Sequence, residues 1–176
     1  MPELLKNVYS TQYLQNLAQA ISLVYPELCQ QKFVQTVLET PWSTLELKAR
    51  MRKIAQTLRV FLPSDYRQAL IILQKVAPQF SGFAALLFAD FVECFGLEDY
   101  EASMAALAIF TEYSSSEFGI RAFILRYPQT LQQLTLWAGS DNHHLRRLAS
   151  EGCRPRLPWA MALPNLKKIQ RLSCRF

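Results

Sequence analysis

Two carboxylates set among arginines are the residues of this sequence with the clearest chemical potential. Glu117 lies in Ser114-Ser115-Ser116-Glu117-Phe118-Gly119-Ile120-Arg121, and Glu151 lies in the run from Asp141 to Trp159. In the first stretch a serine caps a helix and Glu117 falls in its first turn, where the helix dipole favours a carboxylate. In the second, Asp141 or Asn142 caps a short helix with Leu145, Leu148 and Ala149 on its apolar side. Gly152 supplies its stop, and Pro155 and Pro158 keep the following turn from becoming helical again. His144, Arg147 and Glu151 are spaced by three and four, so they share one polar face. A cationic helix with one embedded carboxylate, followed by Arg154 and Arg156 on a stiff turn, suits a phosphate backbone. The same acids also have a plainer reading, in which Glu117 pairs with Arg121 and Glu151 with Arg147, each four residues away. Trp42, Trp137 and Trp159 likewise read as packing residues when taken alone.

The elements that must position these residues are helical nearly throughout. Apolar positions recur at three- and four-residue spacings over 8–24, 28–39, 43–61 and 63–78, with breaks at Pro26, Pro41, Pro63 and Pro78. In the third of these, Met51, Ile54 and Leu58 face inward, and Lys48, Arg52, Lys53 and Arg59 face outward. Residues 80–95 are apolar on most sides, as expected of a helix packed on both flanks. Further helices are expected at 98–112, 115–126, 128–138 and 142–151, with a weak candidate at 160–172. No strand-like alternation appears. Short helices joined by tight linkers predict an all-α chain, an α-solenoid or a compact, irregular helical array rather than a four-helix bundle. A degenerate internal echo fits that: Ile120-Arg121 and Leu145-Arg146 each place an aliphatic–arginine pair early in a helix, and Lys48-Ala49-Arg50 is a weaker third.

Charge is distributed unevenly along the 176 residues. Of 19 Lys/Arg and 14 Asp/Glu in the chain, residues 141–176 hold eight and two. From Asp90 to Glu117 there are seven acids and no Lys or Arg. On charge alone, a basic end beside an acidic region fits equally a polyanion met by a defined surface and a basic tail of no particular function. Cys29, Cys94, Cys153 and Cys174 are widely spaced and read as thiols of a cytoplasmic protein. His143 and His144 are adjacent and have no cysteine nearby, so no metal site is expected. No apolar run has the length of a membrane span.

The run Ser150-Glu151-Gly152-Cys153-Arg154-Pro155-Arg156-Leu157-Pro158-Trp159-Ala160, preceded by His144-Leu145-Arg146-Arg147-Leu148-Ala149, resembles the AlkC branch of the DNA alkylation repair glycosylases. Agreement extends through Trp137-Ala138, Ser115-Ser116-Glu117-Phe118 with Arg121, Leu62-Pro63 with Tyr66, and Leu45 to Arg50. The resemblance implies a HEAT-like α-solenoid over 1–160 whose concave face wraps duplex DNA, with 161–176 as a basic tail. It implies hydrolytic release of cationic alkylated bases, 3-methyladenine and 3-methylcytosine, with no cofactor and no metal. It places Glu117 and Glu151 as the catalytic carboxylates, 34 residues apart and hence about one two-helix repeat. Trp137 and Trp159 become candidates for the deoxyribose or an exposed base edge. Arg121, Arg146, Arg147, Arg154 and Arg156 become candidates for phosphates, with His144 beside them on the same DNA-binding face.

That chemistry is within reach of a carboxylate. A base alkylated at N3 already carries positive charge and leaves without a strong general acid. What remains is to stabilise the cationic sugar of the transition state and to hold a water, which a fixed carboxylate can do by charge and by hydrogen bonding. The family continues for many residues beyond Leu157-Pro158-Trp159-Ala160, whereas here an unmatched basic stretch follows. A truncation, an altered reading frame or a shortened homologue would each look like this, and two alternative functions follow: a DNA-binding remnant of weak activity, or a helical-repeat interaction module that docks through the acidic 90–117 region.

Overall fold

The computed structural model describes residues 4–166, and among these every regular element is helical. The α-helices are α1 (Thr11–Val24), α2 (Gln30–Leu38), α3 (Leu47–Phe61), α4 (Tyr66–Val76), α5 (Leu86–Phe95), α6 (Tyr100–Phe110), α7 (Ile120–Arg126), α8 (Gln129–Ala138) and α9 (His143–Gly152). Short polar side chains set several starts by accepting a backbone N–H of the first turn. Ser10 accepts from Tyr13, Asp65 from Gln68, Asp99 from Ala102 and Asn142 from His144.

The helices stack in two layers. One row runs α3–α5–α7 and the other α1–α4–α6, with α2 joining α1 to α3 and α8 wedged between α7 and α9. The core lies between the rows. Leu14, Leu17 and Ile21 of α1 are fully buried, as are Ile54 and Leu58 of α3, Leu73 and Val76 of α4, and Ile120 and Phe123 of α7. In α5 every residue from Leu86 to Val92 is buried, so its nearly uniform apolar sequence reflects packing on both flanks. Complete burial of one such side chain contributes about 1.5–3 kcal/mol.

Several boundaries differ from the sequence expectation, and α1, α3 and α4 begin at Thr11, Leu47 and Tyr66, a little after the starts expected from spacing. Residues 80–85 are not the first turns of α5; Gly82–Ala85 is a separate 3₁₀ turn with Gly82 in the left-handed region at φ 65°. Residues 115–119 form turns ahead of α7, which begins at Ile120. Ser115 nonetheless caps locally, its hydroxyl accepting the Glu117 N–H at 3.2 Å. Within the candidate at 160–172, residues 164–166 are helical and 167–172 lie outside the described residues, as does the rest of the expected tail. Gly152 also has a purpose beyond stopping α9. A Cβ there would sit 2.9 Å from Ile120 Cγ2, so glycine lets the end of α9 close onto α7.

Candidate nucleic-acid interface

The turn before α7 and the helix α9 bring the two carboxylates onto one face. Glu117 is largely buried, with its side chain 10% exposed, and its carboxylate meets Arg147 Nε of α9 at 3.2 Å. One turn further along α9, Glu151 meets Arg154 at 2.7 Å. The pairing expected from spacing alone is therefore crossed: Glu117 takes Arg147 rather than Arg121, and Glu151 takes Arg154 rather than Arg147. Both arginines remain open to solvent, with side chains 62% and 53% exposed. The hydrogen bond from Arg154 to Glu151 and the charge of that carboxylate raise the Arg154 pKa, and Glu117 adds to the same field. A cleft of about 240 Å³ opens beside Glu117, Phe118 and Arg147.

Helix α3 closes the other side. Lys48 Nζ lies 5.1 Å from the centre of the Phe118 ring and donates to the Trp159 carbonyl at 2.6 Å. Trp159 has a left-handed backbone, φ 64°, unusual for a residue with a side chain. That conformation costs about 1–2 kcal/mol, and it leaves the side of the indole open, with the residue 59% exposed. Lys48 thus ties the α3 face to both the Glu117 turn and the Trp159 turn. Sequence spacing marked Lys48 only as an outward residue of an amphipathic helix.

Arg121 has a different place from the one expected. It is fully buried and donates to three backbone carbonyls: Nε to Met161 at 2.6 Å, one terminal nitrogen to Gly152 at 3.0 Å and the other to Pro155 at 3.4 Å. Burial pulls its pKa down. The guanidinium, surrounded by carbonyls of the proline-broken stretch after α9, holds that stretch in place instead of facing a phosphate. Leu163, further along, is buried, and its N–H donates back to Pro155. Arg50 does the equivalent at the other end of the array, donating to the carbonyls of Leu45 and Lys6 and lying over the Trp42 ring. The internal echo therefore marks two buried braces, Arg50 and Arg121, whereas Arg146 differs.

The other residues expected on the DNA face vary in exposure. Arg146 is exposed and donates to the carbonyls of Ser140 and Asp141, fastening the α8–α9 loop. His144 is half-buried, with its ring 4.0 Å from that of His143. Trp137 is half-buried against the core from α8. Arg156 is exposed on the turn after α9.

The acids between Asp90 and Glu117 do not make one docking patch. Asp90 and Glu93 bind Arg52 of α3, Asp99 binds Arg67 of α4, Glu98 binds Arg126 of α7 and Glu112 accepts from Asn142. These five acids are each matched by a donor from another element, while Glu101 is exposed on α6. Among the described residues no three His, Cys, Asp or Glu side chains converge as metal ligands, and no helix is long and apolar enough to cross a membrane.

No family model matches the chain. It is 42% identical over 164 residues to the uncharacterized protein YhaZ of Bacillus subtilis strain 168, an alignment covering 93% of this chain and 46% of YhaZ. It is also similar to a solved structure, the Pseudomonas fluorescens alkylpurine DNA glycosylase AlkC bound to DNA containing an abasic site analog. That match has 36% identity and a TM-score of 0.92, over 99% of this chain and 49% of the other. The chain thus spans about half the length of the relatives it matches.

Proposed function

We propose that this chain, which has the AlkC-type fold, binds alkylated duplex DNA on the α3–α7–α9 face and hydrolyses the N-glycosidic bond of cationic bases. The observation that carries this reading is the pair of carboxylates, Glu117 and Glu151, each held by an arginine that is itself open to solvent. A phosphate can compete for Arg147 or Arg154 because a guanidinium binds carboxylate and phosphate with the same planar geometry. That exchange turns the carboxylates toward an incoming deoxyribose. As the C1′–N bond breaks, its electron pair neutralises the cationic base and positive charge develops on the sugar. A carboxylate beside the sugar stabilises that charge and accepts a hydrogen bond from the attacking water, whose oxygen bonds to C1′ and whose proton is released. The exposed Trp159 ring is the apolar surface for the sugar or base edge. Suitable substrates are 3-methyladenine and 3-methylcytosine, whose ring charge makes them good leaving groups.

The test pairs stability with chemistry on the same preparations. Glu117→Gln and Glu151→Gln are each expected to slow single-turnover release of 3-methyladenine by about ten- to a thousandfold, with DNA affinity unchanged or slightly raised. Normal release with lowered stability would assign both acids to ion pairing alone. Binding without release by the unmodified chain would leave it a DNA-binding helical array.

A further inference from the structure

The cleft beside Glu117 has an aromatic rim that neither the ion pairs nor the core accounts for. Phe83 lines it together with Phe118 and Arg147, and Phe83 is 49% exposed. Single exposed apolar residues are ordinary on a protein surface. This one differs in how firmly its backbone is held. Gly82 turns the chain through φ 65°, and three consecutive carbonyls are then each bound by a hydroxyl. Ser114 donates to Gly82 at 2.6 Å, Tyr9 to Phe83 at 3.2 Å and Tyr13 to Ala84 at 2.9 Å. Tyr9 is fully buried, so one of these anchors reaches out of the core itself. Nearby aromatic rings collect elsewhere: Phe80 packs on Tyr13 at 5.5 Å and on Phe88 at 6.0 Å. Phe83, three residues on, is not part of that cluster, and it lines the same cleft as Glu117.

We infer that Phe83 is a DNA-contact residue that stacks on a nucleobase unstacked beside the lesion. The inference rests on the DNA reading of this face and adds a residue and a ligand surface to it. A rigid, half-exposed ring beside an arginine and a carboxylate offers a flat apolar platform at the place where phosphate and sugar are expected. Every base has a π-face, so such a platform tolerates any sequence. A pinned turn also loses little freedom when a base lands on it, which favours contact with distorted duplex over regular duplex.

The experiment uses the full chain and a duplex that carries an abasic-site analogue with 2-aminopurine next to it, whose emission rises when the base loses its stacking partner. Affinity is measured by titration, and emission at saturating protein so that weaker binding does not distort it. Phe83→Leu, which keeps an apolar side chain on the same turn, is expected to weaken binding about tenfold and to brighten the probe in the complex. Phe83→Tyr is expected to restore both readings, which a purely structural role for the ring would not require. Thermal unfolding of each variant confirms the fold. If Phe83→Leu matches the unmodified chain in affinity and emission, the inference is overturned while the DNA reading stands. If the unmodified chain does not bind the duplex, both are overturned together.

Discussion

Two clusters of carboxylates and arginines share residue types but differ in how many arginines they hold and in how exposed those arginines are. Between α3 and α5, Arg52 binds Asp90 with two N–H groups at 2.8 and 2.9 Å and Glu93 with a further contact at 3.0 Å. One guanidinium serves two acids there, and the Asp90 side chain is only 2% exposed. Between the α7 turn and α9, Glu117 and Glu151 each have an arginine of their own, and those arginines stand mostly in solvent. In the first cluster no partner can leave without stranding a buried charge. In the second, the arginines stand open enough for a phosphate to reach them, while Glu117 itself stays largely buried. Residue types alone therefore do not tell the two clusters apart. The number of arginines and their exposure do.

The largest expected effect breaks the Arg52 cluster. Replacing Arg52 with methionine keeps much of the side-chain volume but strands Asp90, and removing one partner of a buried pair costs about 3–5 kcal/mol. Because Arg52 is 38% exposed, the lower end is expected, roughly 3 kcal/mol and a drop of some 6–12 °C in Tm. Arg147→Met leaves the Glu117 carboxylate, 10% exposed, without a partner that is itself 62% exposed, and should cost about 1–2 kcal/mol, between an exposed and a buried pair. Equal losses in thermal or urea unfolding would erase the distinction between the two clusters.

The next effect sharpens the contrast through pH. Burial raises the pKa of Asp90 and of Glu93, against the opposing pull of Arg52. A carboxylate with a raised folded pKa contributes stability that is fully present below its unfolded value and lost as pH rises through the folded one. Removing Arg52 removes the lowering influence and pushes both values higher still. The destabilisation of Arg52→Met should then be full at pH 7 and shrink toward pH 4, near the unfolded carboxylate range, as Asp90 takes up a proton and ceases to be a buried charge. Urea unfolding of both chains at several pH values measures this. A difference between the chains that stays constant across pH would show that Arg52 acts through packing.

The two clusters are unequally visible in the sequence, for physical reasons. Helices announce themselves through apolar spacing and through Ser10, Asp65, Asp99 and Asn142 at their starts, since those are local signals. The contact between Arg52 and Asp90 spans 38 residues and leaves only an indirect trace, a lone Asp inside the apolar run Leu86–Phe95. Arg121 is harder still. An arginine one position into a helix reads as a surface cation, and its burial follows from the carbonyls around Gly152, Pro155 and Met161. A stretch broken by Pro155 and Pro158 cannot satisfy its own carbonyls in a helix, so it needs a donor from elsewhere. That requirement is a signal, but not one that residue spacing carries. Glu117 and Glu151 are legible as acids among arginines, whereas which arginine each one takes depends on how α9 lies against α7, which no short-range pattern encodes.

The smallest effect concerns the open cluster itself, and it is read in salt dependence. Arg154 and Arg156 are both exposed on the turn that Arg121 holds from beneath. Among the described residues Arg154 is tied to Glu151, across a surface ion pair. Replacing both with alanine should change stability by no more than about 1 kcal/mol, because exposed pairs contribute little. On DNA each arginine that meets a phosphate releases about one counterion. The slope of log affinity against log salt should therefore become shallower by roughly one unit for each phosphate left without its arginine. The weakening should be alike for different sequences, since phosphates carry no base identity. Titration of the variant and the unmodified chain against one duplex across a range of salt gives both quantities. An unchanged slope with lowered stability would make this turn a second structural cluster like that of Arg52, and would move the phosphate contacts to Arg147 and the α9 face. A slope shallower by about two units with unchanged stability would show that Arg154 as well as Arg156 meets a phosphate, so that an arginine bound to a carboxylate in the absence of DNA gives up that partner. That exchange is what distinguishes the open cluster from the closed one.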